Sequence, residues 1–325
     1  MLGVQVLLVT SDPKTRRHMT RALASMGCQV HQAQLTRRSV EPHLQRNIEM
    51  FIVDGDGNRA ELDWLVEKLY QFQTQAIVLI VSQESANQFI LDLVEHKDLN
   101  NIIAKQGGIS TGRELIDEHE LIVTCNKLHR NDMFGMDKYL STWGIVIRHR
   151  ELTKSEEKED ALTELGGFLE SIDCQGPITS SILTVADELL MNAIYNAPRD
   201  EKGNAKYAKR DRRESVQLGD HEHVDLRYAC DGRYVGISVS DRFGSLDREV
   251  LVRYLRQSLT GDRAMIESKE GGAGVGLHMI AQSATQLIFN IQVGKQTEVI
   301  ALFYVRSGGR SFRASGRSLN IFLSR

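Results

Sequence analysis

Three things are scarce in this 325-residue chain: cysteine, net charge and long apolar runs. Its four cysteines are scattered without the close pairs that zinc sites use, which argues against a zinc site and favours a reducing compartment. A formal net charge of −3 gives no general attraction to nucleic acid or anionic membranes. No apolar run reaches the length of a membrane span, and the opening residues lack the basic start of a secretory signal. We therefore expect a soluble, cytoplasmic protein that binds neither membranes nor nucleic acid.

The length and composition predict an ordinary globular protein with more than one domain. Hydrophobic residues make up 41% of the chain and charged residues 26%, which is usual for folded proteins. A chain of 325 residues is long for one core and comfortable for two domains. Since the sequence has no internal repeat and no low-complexity tract, its two halves can be considered separately.

Apolar runs alternate with stretches of helical length in the first half of the chain. The runs cover residues 4–9, 50–53, 76–81 and 101–104. Such βα alternation predicts an α/β fold with a parallel sheet, in which ligand chemistry gathers at the carboxyl ends of the strands. The polar residues that follow the runs are Ser11, Asp12, Asp54, Ser82 and Lys105.

This arrangement resembles the receiver domain of two-component response regulators over residues 1–122. The resemblance implies a doubly wound (βα)5 fold in which Asp54 is the phosphoacceptor and in which Asp12 and Asp54 hold Mg²⁺. It also implies that Ser82 and Lys105 grip the phosphoryl group. A carboxylate nucleophile, a ligand for a hard cation, a hydroxyl donor and a point charge suit these roles.

Two positions depart from the receiver pattern. Ser11 stands where the family has its first acidic residue, and Gln106 stands where a proline normally follows the lysine. Loss of one carboxylate lowers the charge that attracts Mg²⁺. The alternative is therefore a pseudo-receiver that keeps the fold as a docking surface for partners.

In the second half, residues 181–196 have the apolar periodicity of a helix. Glu188 and Asn192 are four residues apart, so they share one face of that helix. A carboxylate can orient or deprotonate water, and an amide oxygen can ligate Mg²⁺. This pair therefore indicates nucleotide chemistry.

A glycine-rich segment follows later in the chain, with Gly272, Gly274 and Gly276 preceding Leu277. Glycine allows backbone N–H groups to close on phosphate oxygens, and a following helix adds its positive end. The segment is not typical of a dinucleotide-binding loop, since no buried strand precedes it and leucine replaces the third small residue. It is not a Walker loop either, because no Gly-Lys-Ser/Thr follows.

In this order, the helix, Asp241 and the glycine segment resemble the nucleotide site of the Bergerat-fold (GHKL) ATPases, the superfamily of gyrase, MutL and the histidine kinases. The resemblance covers residues 155–325 and implies an α/β sandwich with ATP and Mg²⁺ as cofactors. It implies Glu188 as the catalytic residue, Asn192 as the metal ligand and Asp241 as the residue that recognises the adenine amino group. The residues implied to bind the nucleotide are Asn192, Asn196, Asp241, Gly244, Gly272, Gly274, Gly276, Leu277 and Thr297.

The motif around Asp241 departs from the usual Asp-x-Gly-x-Gly, because Phe243 replaces the first glycine and a glycine follows only at Gly244. The backbone must therefore curve around Asp241 without the usual pair of glycines.

Two functions remain open for the whole chain, which joins the domains through a predicted helical linker at residues 123–154. One is a protein kinase or ATPase, similar to the anti-sigma-factor serine kinases or to an atypical histidine kinase, that phosphorylates a partner protein. The other is a non-catalytic switch that uses ATP as a structural ligand. Either function predicts protein partners, upstream or downstream, and the helix that begins near residue 153 could form a homodimer.

Overall fold

The computed structural model describes residues 1–71, 76–81, 99–107, 114–141, 144–174, 176–212, 214–252, 255, 283–305 and 317–324. Ser82 and the glycine segment at 272–277 lie outside these residues. The chain divides into two compact units, Met1–Met133 with Ser315–Asn320, and Phe134–Ala314 with Ile321–Arg325. Each unit combines helices with a sheet, so the predicted α/β class is confirmed.

The first unit is built around a parallel sheet with the strand order β2-β1-β3-β4-β5. Helix α1 packs against α4, and α2 packs against α3, as expected when helices cover both faces of such a sheet. In chain order the elements are β1 (Gln5–Val9), α1 (Pro13–Ser25), β2 (Gln29–Ala33), α2 (Arg37–Leu44), β3 (Met50–Asp54), α3 (Arg59–Gln71), β4 (Ile77–Val81), β5 (Asn101–Ala104), β6 (Gln106–Gly107), β7 (Glu114–Leu115) and α4 (Glu118–Arg130).

The sequence explains why the central strands lie where they do. Every residue of β3, Met-Phe-Ile-Val-Asp, and of β4, Ile-Val-Leu-Ile-Val, is buried. Such continuous apolar runs need cover on both faces, which the helices provide. The last residue of β3 is Asp54, so the sheet carries one buried carboxylate at its carboxyl edge.

A strand from the end of the chain, β13 (Ser318–Ser324), contributes its first residues to this unit. Leu319 pairs with Ile102 and Asn320 with Asn101, antiparallel to β5. Both asparagines are fully buried, and neither side-chain amide has a hydrogen-bond partner among the residues that the structure describes. An unpaired buried polar group costs free energy, so this asparagine pair stabilises the strand pairing less than two apolar side chains would.

We predict that replacing these amides with leucine, which is close to asparagine in shape, stabilises the first unit. Asn101→Leu and Asn320→Leu each remove an unpaired polar group, worth about 1–3 kcal/mol. The midpoint of urea unfolding should therefore rise in each single variant and rise further in the double variant. A lower midpoint in either single variant would show that the two amides bond to each other in solution.

The second unit has an antiparallel sheet in the strand order β11-β12-β10-β9-β8, with helices packed on it. The end of β13 joins this unit, where the Val293 N–H donates to the Ser324 carbonyl at 2.9 Å. In chain order the remaining elements are β8 (Arg148–Leu152), α5 (Glu157–Ser171), α6 (Gly176–Met191), a π-helical turn (Asn192–Asn196), β9 (Val224–Cys230), β10 (Tyr234–Asp241), β11 (Gln286–Gln292) and β12 (Gln296–Tyr304).

Helix α6 is the main contact between the helical layer and this sheet, since it packs against α5, β10 and β12. Its buried side chains recur at three- and four-residue spacing, as the sequence predicted; they are Ile178, Ile182, Val185, Ala186, Leu189 and Leu190. Among the described helices, none is long and apolar enough to cross a membrane.

The connector Phe134–Leu140 lies on the face of β10 that carries Gly236. A side-chain carbon at Gly236 would come within 3.0 Å of the Met136 sulfur. The Gly135 N–H donates to buried Glu298 at 2.8 Å, so the connector is anchored to β12. Because side chains alternate along a strand, Asp241 on β10 faces the opposite side of the sheet.

Candidate functional sites

Asp241 is a buried carboxylate at the very end of β10, with 7% of its surface exposed. The backbone N–H groups of Phe243 and Gly244 both donate to its Oδ1 atom, at 2.9 and 3.3 Å. This turn fixes the orientation of the carboxylate and leaves Oδ2 outside the turn. The second oxygen takes no part in these two hydrogen bonds.

Thr297 lies directly opposite Asp241 in the antiparallel pairing of β10 with β12. The threonine is also buried, and its hydroxyl has no hydrogen-bond partner of ordinary geometry within the described part of the chain. It is nevertheless close enough to favour the ionised form of Asp241. A buried hydroxyl without a partner needs an explanation, and a bound polar ligand is one.

The environment of Asp241 disfavours its charge. Burial raises the pKa of this carboxyl to about 6, although the hydrogen bonds from Phe243 and Gly244 and the proximity of Thr297 act in the opposite direction. The protein therefore holds an ionisable acceptor in a place where its charge is costly. Such a cost at a strand end is typical of a functional group.

Gly244 allows the loop after Asp241 to pass close to the turn between β11 and β12. Its φ is +55°, and a side-chain carbon there would lie 1.9 Å from the Gln292 carbonyl oxygen. The Gly294 N–H donates to the Gly244 carbonyl at 3.2 Å, which joins this loop to the turn between β11 and β12. The backbone thus curves around Asp241 with one glycine, and Phe243 occupies the position where the family pattern has another.

The end of helix α6 carries the predicted catalytic and metal-binding residues. Residues 192–196 form a π-helical turn, in which the Ala197 N–H donates to the Asn192 carbonyl at 3.0 Å. The Asn196 side-chain Nδ2 donates to the Asn192 Oδ1 at 2.9 Å. Single π-turns of this kind are often found at functional sites. Here the turn places the side chains of Asn192 and Asn196 together.

Glu188 is half-buried one turn before Asn192. Burial raises the pKa of Glu188, and the neighbouring Asp187 raises it further, whereas Arg212 and Lys158 act in the opposite direction. A carboxylate with a raised pKa is better suited to accept a proton near neutral pH than an ordinary glutamate.

Two hydrogen bonds connect the helix end to the Asp241 loop. The Ser245 hydroxyl donates to the Ala197 carbonyl at 3.0 Å, and the Arg199 guanidinium donates to the Ser245 carbonyl at 3.3 Å. The structure therefore links the loop carrying Asp241 to both Thr297 and the end of the Asn192 helix. The predicted phosphate-binding residues Gly272, Gly274, Gly276 and Leu277 lie outside the described residues.

Sequence reasoning missed the connecting residues Arg199 and Ser245, and it also missed Arg212. Both arginines belong to the charged stretch 199–220, in which the sequence analysis selected no site residue. The Tyr195 hydroxyl donates to the Arg212 carbonyl at 3.4 Å, which holds this stretch against the helix end. The available signal was the position of the stretch, directly after the predicted helix.

At the carboxyl edge of the first unit's sheet, Asp54 is bonded through both carboxylate oxygens. Thr10 donates its hydroxyl to Oδ2 at 2.8 Å, and the Lys105 ammonium lies 3.0 Å from Oδ1. The Asp56 N–H also donates to Oδ1, at 3.3 Å, while its carboxylate binds Lys105 at 2.7 Å. The structure thus brings the predicted Asp54 and Lys105 together.

Asp12 has a different local role. Its carboxylate caps helix α1 by accepting the N–H groups of Thr15 at 2.7 Å and Lys14 at 3.4 Å. Hydrogen bonds from Thr15 are the main reason that its pKa is lowered. The side chain that contacts Asp54 from the end of β1 is that of Thr10, the residue after the strand, which the sequence analysis did not select although it directly follows the apolar run.

We predict that Asp241 makes the stability of the second unit depend on pH. Since its pKa is about 6 in the folded protein and about 4 in an unfolded chain, the folded state binds the proton more tightly. Protonated Asp241 therefore contributes fully to the free energy of unfolding below pH ~4, and this contribution is lost as the pH rises through about 6. For a shift of about two pKa units, the loss is about 3 kcal/mol.

Asp241→Asn keeps the acceptor for the turn and removes the charge. Urea unfolding of both proteins at several pH values should show the variant gaining stability over the wild type between pH 4 and pH 7. Because other titrating groups are common to both proteins, their effects cancel in this difference. If the difference in the free energy of unfolding between the two proteins stayed constant over this pH range, the raised pKa could not belong to Asp241.

Comparisons with known proteins give no family for this chain. No family model and no curated protein matches it. Among solved structures, it is similar to the RcsB response regulator of Salmonella typhimurium, with a TM-score of 0.30 and 15% identity over 43% of this chain and 66% of that chain, just under two thirds of its length. It is also similar to the SiaB–SiaC complex from Pseudomonas aeruginosa, with a TM-score of 0.30 and 12% identity over 56% of this chain and 96% of that chain. Likenesses this low establish neither a shared fold nor a function.

Proposed function

We propose that the second unit binds ATP with Mg²⁺ and transfers its terminal phosphoryl group to a partner protein, as part of a signalling protein with a receiver-like first unit. The observation that carries this proposal is the buried pair of Asp241 and Thr297 at the ends of paired strands. The pair offers a carboxylate oxygen outside the turn and a hydroxyl without a partner of ordinary geometry among the described residues.

These two groups fit the edge of adenine. The exocyclic amino group is a donor that suits Asp241 Oδ2, and the ring nitrogens are acceptors that suit the Thr297 hydroxyl. Guanine carries a carbonyl oxygen in place of that amino group, so a carboxylate at this point disfavours it. The pair therefore supports adenine as the base.

Asn192 and Asn196 fit the metal end of the nucleotide. The Asn192 amide oxygen is a suitable Mg²⁺ ligand, provided that it shares or releases the hydrogen bond from Asn196. Asn196 then has a free donor for a phosphate oxygen. When bound, Mg-ATP would supply the phosphoryl group to be transferred.

Glu188 is the proposed base. Its raised pKa suits it to take the proton from a hydroxyl group of the acceptor protein, and the charge of Arg212 favours its ionised form. In this proposal the acceptor is a partner protein, as with the anti-sigma-factor serine kinases. The parallel strand order β2-β1-β3-β4-β5 of the first unit, with Asp54 at its carboxyl edge, supports a role for that unit in control or docking.

A second function is a switch in which ATP is held without turnover. The Asn196–Asn192 hydrogen bond favours it, because a metal ion on the Asn192 amide oxygen would either share this side-chain bond or release it. An element with two arrangements is what a ligand-driven switch needs. In this case the first unit serves as a pseudo-receiver that docks partners.

We predict that ATP with Mg²⁺ raises the melting temperature of the full chain, since binding to the folded state stabilises it by mass action. Asn192→Ala should lose mainly the part of the shift that depends on Mg²⁺. Asp241→Asn should lose the preference for ATP over GTP, because its amide oxygen stays on the turn and its amide nitrogen then presents a donor to the base.

Asp160→Asn, a substitution of an exposed acid on α5, is the matched control and should behave as the wild type. Thermal shift and calorimetric titration with ATP and GTP give the comparison. Unchanged nucleotide affinity and selectivity in both site variants would exclude this site.

We further predict that Glu188→Gln separates catalysis from binding. The glutamine keeps the size and hydrogen-bonding capacity of the side chain but cannot act as a base, so turnover should fall by a factor on the order of 10²–10⁴. Affinity for ATP should be retained. Labelled ATP, with and without cell extract, measures hydrolysis, self-labelling and labelling of a partner.

Glu170→Gln, at an exposed position on α5, is the control and should keep full turnover. Should the wild-type protein bind ATP yet neither hydrolyse it nor label any protein, the kinase function is excluded and the switch is retained.

A further inference from the structure

The Asp54 site of the first unit contains its own cation. The Lys105 ammonium lies 3.0 Å from Asp54 Oδ1 and 2.7 Å from Asp56 Oδ2, so one positive charge bridges two carboxylates. Asp54 and Lys105 are both buried. A position between oxygens of two carboxylates is where a hard divalent cation would also bind. In this protein an ammonium group takes that position.

Two other groups among the described residues donate hydrogen bonds to Asp54 and so occupy its oxygens. Thr10 donates its hydroxyl to Oδ2, and the Asp56 N–H donates to Oδ1. The nearby acid from the start of α1, Asp12, uses its carboxylate to cap that helix. Within the described part of the chain, no group of three or more His, Cys, Asp or Glu side chains is arranged to hold a metal.

The charges lead to the same conclusion. Two carboxylates and one ammonium leave a net charge of −1 at Asp54, Asp56 and Lys105. A divalent cation would either lie beside the ammonium, where like charges repel, or displace it from two short contacts in a site of reduced solvation. The residues present therefore do not fit the Mg²⁺ that the receiver resemblance implies for Asp12 and Asp54.

We infer that Lys105 is the resident cation of this site and that the Asp54 site is set without Mg²⁺. The ammonium holds Asp54, at the end of β3, and Asp56, in the following loop, in one arrangement. Two consequences can be tested. The wild-type protein should have no metal site that depends on Asp54, and removal of the ammonium should create one from Asp54 and Asp56.

The decisive experiment counts Mn²⁺ bound to the full-length protein without nucleotide, by electron paramagnetic resonance, with Mg²⁺ as competitor. The wild type and Asp54→Asn should bind equal amounts. Lys105→Met keeps the length and apolar stem of the side chain but removes the charge, so it should bind one additional Mn²⁺ per chain. The additional ion should disappear in Lys105→Met combined with Asp54→Asn.

Thermal unfolding gives a second measurement on the same proteins. Lys105→Met should melt several degrees lower in EDTA than in millimolar Mg²⁺, because the metal replaces the lost charge. Lys68→Met is the control, because it removes the ammonium of an exposed hydrogen bond to Gln71 on α3. The wild type and this control should each melt at the same temperature in both conditions.

Mn²⁺ binding by the wild type that is lost in Asp54→Asn would overturn the inference, and this comparison does not depend on how Lys105→Met folds. A folded Lys105→Met without additional Mn²⁺ and without Mg²⁺-dependent melting would also overturn it. The nucleotide site is not involved in either measurement, so failure here leaves the ATP proposal untouched.

Discussion

The candidate site of the second unit depends on one carboxylate, which the fold buries at a cost in free energy. Asp241 ends a central strand, its Oδ1 is fixed by two backbone N–H groups, and its pKa is raised to about 6 by burial. Gly244 makes this possible, since any side chain there would collide with the β11–β12 turn. The cost is reasonable only if the second oxygen has a use, and a donor on a bound base provides one.

The two units treat a buried carboxylate in opposite ways. Asp54 forms an ion pair with Lys105 and accepts a hydrogen bond from the Thr10 hydroxyl. Asp241 accepts hydrogen bonds from two backbone N–H groups, and within the described part of the chain no cationic side chain is among the causes that shift its pKa. A carboxylate with an internal counter-ion is stable as it stands, whereas one without it is ready for a ligand. This contrast supports the proposal of ligand chemistry in the second unit and of a docking or control role in the first.

Much of this arrangement could be predicted from local sequence patterns. The apolar runs of β3 and β4 and the periodicity of α6 indicated the α/β class, whereas Asp241 and Thr297 were expected in one site from the Bergerat resemblance alone. The contacts of Thr10 with Asp54 and of Ser245 with Ala197 could not be predicted, because they join residues far apart in the chain. The capping role of Asp12 was not predicted either, although a strand-end acid that begins a helix can serve as its cap.

The most direct test of the central claim compares ATP with purine riboside triphosphate, which lacks the exocyclic amino group, on the wild type and on Asp241→Asn. If Asp241 accepts a hydrogen bond from that group, the wild type should bind ATP roughly 10- to 100-fold more tightly, as expected for a hydrogen bond to a charged acceptor worth about 1.5–3 kcal/mol. The variant should bind the two nucleotides about equally. Equal affinities on the wild type would contradict the claim that Asp241 recognises adenine.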